Sequence, residues 1–433
     1  MSPLCDRARA LRTQATTRFI TSGWLMPAYF PLALIVGRGV FNSALALYIV
    51  WALAAAPALR QHGHRTFLLL LVALLSAYLA SVTVALDPAR ALKLWATVVV
   101  YVSIAPITLS ILAMHPDKLA RLQHTLGLGA VLALLVAYVD LAVVRLNTDH
   151  FIPRLDLRAV DLAFCLPFML AWLWRTLGEA WRVAGVGTAL LALAGFVVLS
   201  DERGVLMGVL MACMVMGLLV LRLRLWQVLI VGGGLIGFAL FTNGDSMLRG
   251  LSGGDELFGQ LDALSSSRLT LWSQALANPP ANPLFGVGMG NAQYYPAVVN
   301  LGEITVRHLH NLWLDAWYET GMLGLGLLIS LIGYVFARSA ASWRRMTPEQ
   351  QASAGLFLTA ALAVIAQTQF SISYASREFG LYVFLCFAVL LHIARQAAQR
   401  PAANARPGSN DNDAGASLRP PDGTSRQMSA EGQ

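Results

Sequence analysis

The residues best suited to chemistry in this 433-residue chain are one histidine and two arginines that lie far from it in sequence. His310 stands in RHLHNLWLDAWYETG, Arg203 in SDERGVL and Arg268 in SSSRLTLW. An imidazole beside an asparagine suits taking a proton from a hydroxyl, because the ordinary histidine pKa lies near working pH. Capping or packing is the alternative role for His310. Arginine keeps its charge and donates paired hydrogen bonds to phosphate oxygens, so two arginines converging would match a pyrophosphate. Each also has a plainer role: Arg203 paired with Asp201 or Glu202 at a helix end, and Arg268 solvated on an amphipathic helix.

Helical spacing then sorts the neighbours of His310. If the run is helical from His308 onward, His310, Leu314, Trp317 and Gly321 share one face, while His308 lies about 200° round and Glu319 about 180° round. On that reading one histidine is favoured over a pair, and Glu319 is a poor catalytic partner. Asp315 and Glu319, one turn apart, would order the helix or contact Arg307. A metal site would want i, i+3 or i+4 spacing with a third ligand, which His308 and His310 do not offer on a helix. Paired acids for metal-dependent glycosyl transfer occur as Asp-x-Asp only at Asp411 and Asp413. The expectation is therefore a reaction with no metal and no cofactor. Gly286, Gly288 and Gly290 in FGVGMGN lack a preceding strand and the GK[ST] of a phosphate loop, so they predict a tight turn with close backbone packing.

The elements that must position these residues are membrane helices. Hydrophobic residues make up 57% of the chain and charged residues 12%, with a mean hydropathy of +0.61, far from a soluble domain. Apolar stretches near the ~20 residues of a membrane span recur at about 20–36, 40–58, 66–85, 91–113, 124–144, 160–174, 183–200, 203–222, 225–242, 318–338, 353–372 and 378–394. The fold class expected is an all-α polytopic membrane protein of about twelve transmembrane helices. Its parts are a cytoplasmic N-terminus (1–19), helices one to nine (20–242), a large periplasmic loop (243–317), helices ten to twelve (318–396) and a disordered cytoplasmic tail (397–433). Within the loop, a helix over roughly 266–277 precedes a Pro-rich stop and the Gly-rich turn. The first helix is expected to remain uncleaved, for its basic start has no small-residue cleavage site after it.

Basic residues are dispersed through short connections (Arg60 and Arg65; Lys118 and Arg121; Arg175 and Arg182; Arg344 and Arg345), so the net charge of +8 is a signal of orientation and not of nucleic-acid binding. The other side nonetheless holds an excess of arginine, including Arg90, Arg145, Arg154, Arg158 and Arg377, which implies an anionic substrate there. The four cysteines are scattered and form neither a disulfide framework nor a metal pattern.

Together these features resemble the bacterial O-antigen ligase family, within the O-antigen ligase and polymerase superfamily. Its motif H-[NSQ]-x9-G-x-x-[GTY] is met by His310, Asn311, Gly321 and Gly324. The resemblance implies a C-type glycosyltransferase-like fold in the inner membrane of a Gram-negative bacterium, with the site facing the periplasm. It implies transfer of O-antigen glycan from undecaprenyl pyrophosphate to a sugar hydroxyl of lipid A-core, inverting and metal-independent. His310 would be the catalytic base, with Arg203 and Arg268 on the pyrophosphate. Asn311, Arg145, Arg154, Arg158 and Arg377 would add substrate contacts. An O-antigen polymerase and an O-linked protein oligosaccharyltransferase use the same class of donor and stay open as alternatives. A transporter, more distant, would place its charges at mid-membrane on broken helices, whereas here they lie at helix ends and in loops.

Overall fold

The structure is a computed structural model describing residues 64–146, 159–200, 203–220, most of 222–234, residue 262, 267–301, 304–370 and 372–399. The first two expected spans, Arg154, Arg158 and the expected tail from 400 onward lie outside the described residues.

Helices dominate. In chain order they are α1 (Arg65–Ser81), α2 (Pro88–Val102), α3 (Ile104–Met114), α4 (Lys118–Leu146), α5 (Ala159–Thr176), α6 (Glu179–Ser200), α7 (Arg203–Val215), α8 (Arg268–Ala277), the single turn α9 (Pro296–Val299), α10 (Leu312–Ser342), α11 (Pro348–Thr368) and α12 (Phe384–Gln399). One two-residue antiparallel pairing, β1 (Asn300–Leu301) with β2 (Ile304–Thr305), lies between α9 and α10. Among the described residues, six helical stretches are long and apolar enough to cross a membrane: Arg65–Val84, Pro88–Met114, Lys118–Val139, Leu312–Arg345, Pro348–Thr368 and Phe379–Gln399. They fall on the stretches predicted at 66–85, 91–113, 124–144, 318–338, 353–372 and 378–394.

Local chemistry fixes several helix starts. Asp87 caps α2 by accepting from Arg90 N at 2.9 Å, ahead of Pro88. Thr347 and Gln350 form a reciprocal capping box at α11, again with proline in the first turn. Asn311 caps α10, its side-chain oxygen accepting from Trp313 N and Leu314 N at 3.0 and 3.1 Å. Each cap satisfies backbone donors that a helix terminus otherwise leaves bare.

The large core is organised around α12, where Leu385 to Leu390 are all fully buried. Helices α3, α10 and α11 pack against it, α5 packs between α4 and α11, and α7 lies along α11. Outward faces are apolar instead of charged: Leu69, Val72, Leu135, Val139 and Ile329 are all more than half exposed. Such a surface suits lipid and not water. A second, smaller core, including Leu271, Val287, Val298, Leu309 and Tyr318, joins α8, α9, the glycine-rich loop and the start of α10 into a layer over one end of the bundle.

Candidate active site

The layer is built on a break in α10. Gly321 has φ 68° and ψ −173°, so the helix ends its first stretch at Thr320 and restarts at Met322. The glycine-rich loop occupies the break. Val287 N and Gly288 N donate to the carbonyls of Tyr318 and Glu319, both at 2.9 Å, while Met322 N and Leu323 N donate to Pro283 O and Leu284 O at 2.9 and 3.3 Å. A Cβ on Gly321 would stand 2.2 Å from the Leu284 carbonyl, and one on Gly286 2.5 Å from the backbone of Glu319. The loop is thus the close-packed turn that the sequence predicted. For Gly321, however, the requirement is a left-handed backbone at a helix break. A Cβ on Gly324 would stand 2.0 Å from Thr320 Oγ1 of its own helix and 3.2 Å from Tyr78 of α1, so the Thr320 side chain and α1 both approach closely there.

His310 corrects the helical reading of its own segment. It has φ 51° and precedes the cap Asn311, so it stands outside α10. The angles placing His308 and Glu319 away from it therefore do not apply. The rings of His308 and His310 lie 4.1 Å apart, and His308 Nδ1 accepts the backbone N–H of His310 at 3.3 Å. Burial, followed by neighbouring His310 and Arg268, pushes the His308 pKa down to about 3, so its imidazole is neutral. The 3.8 Å approach of His308 Nδ1 to Asp315 is accordingly no ion pair. With Nδ1 accepting, the proton of the neutral ring sits on Nε2. Asp315, fully buried, accepts from Leu309 N at 2.6 Å, so it shapes this turn instead of meeting Arg307.

Arg268 reaches the same turn through α8. Trp272, one helical turn on, donates Nε1–H to Leu309 O at 2.9 Å, and Arg268 acts electrostatically on His308. The 37 positions between Trp272 and Leu309 are therefore closed by one side chain of α8. Arg203 is the first residue of α7, as the sequence predicted. Helix α7 runs antiparallel to α11: a Cβ on Gly208 would meet Ala363 and Gln367, Gly355 faces Val220, and Arg222 donates to Gln351. Five residues before Gly208, at about 1.5 Å per residue, the Arg203 backbone is level with the last turn of α11. Just beyond that turn, the ring of Phe370 lies 6.2 Å from Trp272. The start of α8, with Arg268, is thus docked against the His308–Asn311 turn, and the Arg203 backbone stands at the same end of the bundle, its side chain outside the described part.

The remaining predicted residues are placed differently. The side-chain oxygen of Asn311 is occupied by capping, and Arg145 lies in the last turn of α4. Arg377 approaches Glu378 at 3.2 Å and Asp161 at 3.9 Å, beside Tyr382, which donates to Asp161. Arg90, counted among the excess arginines, donates Nε–H to Gly290 O at 3.0 Å and so holds the glycine loop. Next to it Asp87, kept below the usual carboxylate range chiefly by the Arg90 backbone N–H, accepts from Tyr294 at 3.1 Å.

Glu319 is the residue whose placement sequence reasoning missed. Only 2% exposed, it accepts from Tyr374 at 3.0 Å and from the backbone of Gly290 and Ala292, tying the loop to the segment after α11. A carboxylate eight residues into an apolar helix was the available signal, since such a charge is costly unless satisfied.

A family model described as O-antigen ligase matches residues 188–329, a stretch containing Arg203, Arg268, His310, Asn311, Gly321 and Gly324. That match supports placing residues 188–329 in the O-antigen ligase superfamily. This is a family of glycosyltransferase-like membrane enzymes with O-antigen ligase or polymerase-type function, and lipid-linked O-antigen is the substrate class it implies. The match starts within α6 and ends beyond the break in α10, so it spans the layer that carries the site. No curated protein matches the chain.

Proposed function

We propose that this chain is an O-antigen ligase, transferring O-antigen glycan from undecaprenyl pyrophosphate to a sugar hydroxyl of lipid A-core at the periplasmic face of the inner membrane. The observation that supports the reading is the docking of α8, the helix that carries Arg268, on the His308–Asn311 turn through the Trp272 to Leu309 hydrogen bond. The acceptor hydroxyl attacks the anomeric carbon as the bond to the pyrophosphate oxygen breaks, with inversion. Its proton passes to His310; with Nδ1 buried, Nε2 is the ring nitrogen assigned to take it. The leaving electron pair stays on the pyrophosphate. Arg268, together with Arg203 at the start of α7, is assigned to the charge that grows there, stabilising the transition state more than the ground state. The left-handed backbone of His310 and the neutral His308 beneath it fix the direction of the base.

The twelve-helix count, the periplasmic loop over 243–317 and the cytoplasmic termini belong to this same reading. The test is transfer by purified enzyme from polyprenyl-pyrophosphate glycan to three acceptors offered in parallel: lipid A-core, a second polyprenyl-linked glycan and a Ser/Thr peptide. Lipid A-core is expected to be the acceptor used. Product on either of the others alone would assign the chain to polymerisation or protein glycosylation.

A further inference from the structure

At the end of the bundle opposite His310, a cavity of about 140 Å³ lies between the first turns of α4, the last turns of α5 and Leu356 of α11. Phe168 and Leu356 make it apolar on one side. The rest of the wall carries Gln123, His124, Trp172, Arg175 and Thr176, with no carboxylate among the described residues that line it. Gln123 is only 6% exposed, and its Nε2 has no hydrogen-bond partner among the described residues. The indole Nε1–H of Trp172 is likewise buried without an acceptor. Buried N–H groups are rarely left so, and indole and guanidinium groups can only donate. Two unpartnered donors beside an arginine favour an anion with several acceptor oxygens, as a phosphate has.

The surroundings decide where that phosphate comes from. Trp174 and Trp181, at the facing ends of α5 and α6, are 45% and 70% exposed, and the Arg182 guanidinium lies 5.9 Å over the Trp174 ring. Exposed tryptophan with arginine at helix ends marks headgroup depth in a bilayer. From His124, the positions Leu128, Leu132 and Leu135 continue along one side of α4 at helical spacing, and all three are exposed and apolar. A strip of that kind leads from the cavity mouth along the hydrocarbon.

We propose that this cavity binds the phosphate of an anionic phospholipid, held by Gln123, Trp172 and Arg175, with the acyl chains lying along the α4 strip. The site is separate from the one at His310 and does not depend on the reading of that site.

Native mass spectrometry of the full-length protein in detergent tests it, with phosphatidylglycerol, diacylglycerol and inorganic phosphate as probes. The expected result is one phosphatidylglycerol per chain that diacylglycerol does not replace, with affinity lowered about tenfold or more in Trp172→Phe and Arg175→Gln. Arg175 is exposed, so Arg175→Gln separates binding from folding, and gel filtration checks both variants. Inorganic phosphate that competes supports recognition through the phosphate oxygens. Phosphate that binds with the same sensitivity to the variants while the lipid does not would overturn the lipid as the source. Equal lipid retention by both variants, or equal retention of diacylglycerol, overturns the site.

Discussion

The bundle around α12 and the layer over its end are held by different means. In the bundle, Leu385 to Leu390 are buried among other apolar side chains, and position follows from length, hydropathy and packing. In the layer, position follows from single requirements: a left-handed His310, a left-handed Gly321, one indole N–H on Leu309 O, and one carboxylate on Gly290 and Ala292. Volume is what the bundle asks of a residue. The layer asks for a particular atom or a particular backbone angle, which is what a site needs when it must aim a base and a guanidinium at a shared target.

The largest break in this comparison is expected from Gly321→Ala. It combines a positive φ with a Cβ 2.2 Å from Leu284, and about 2–5 kcal/mol of destabilisation follows. The control is Gly333→Ala on the same helix, where a Cβ meets nothing within 4 Å; thermal unfolding in detergent should show it neutral or slightly stabilised. Next comes Leu385→Ala in the bundle, costing about 2–4 kcal/mol in the same assay while the folded fraction keeps its kcat. Equal loss of kcat there would erase the distinction between bundle and layer. Trp272→Phe should do the reverse. Losing the hydrogen bond to Leu309 costs about 1 kcal/mol, and the effect should fall on kcat, roughly fivefold, more than on Tm.

A further prediction concerns pH. The His308 pKa is lowered to about 3 in the folded protein, so between its ordinary 6.5 and about 3 the unfolded chain binds the extra proton. Stability should therefore fall on acidification through that window, by at most about 1.4 kcal/mol per pH unit. In His308→Gln, the drop in Tm from about pH 7.5 to about pH 5 should be smaller than in the wild type. An unchanged drop would remove His308 from the account.

The same contrast explains what the sequence could show. Runs of apolar residues predicted Arg65–Val84 to within one residue and Pro348–Thr368 to within about five, because a membrane span is set by local composition and length. The helix at roughly 266–277 and the start of α7 at Arg203 were legible from stop and start signals. Asn311 as a helix cap was also within reach, since it precedes an apolar run with Asp315 in the first turn. The break at Gly321 was not, because the Pro283 and Leu284 carbonyls that occupy it come from nearly forty residues earlier. Nor was the pairing of His308 with His310. A helical wheel assumes the helix has begun, and here it begins two residues after His310.

The central claim is that the layer aims His310 as the base of glycosyl transfer. Its most direct test is single-turnover transfer to lipid A-core by purified wild type and His310→Ala, matched for Tm and gel-filtration profile. A rate lowered by about 10² to 10⁴-fold, with donor binding retained, is the predicted result. Transfer within a few-fold of the wild type would contradict it.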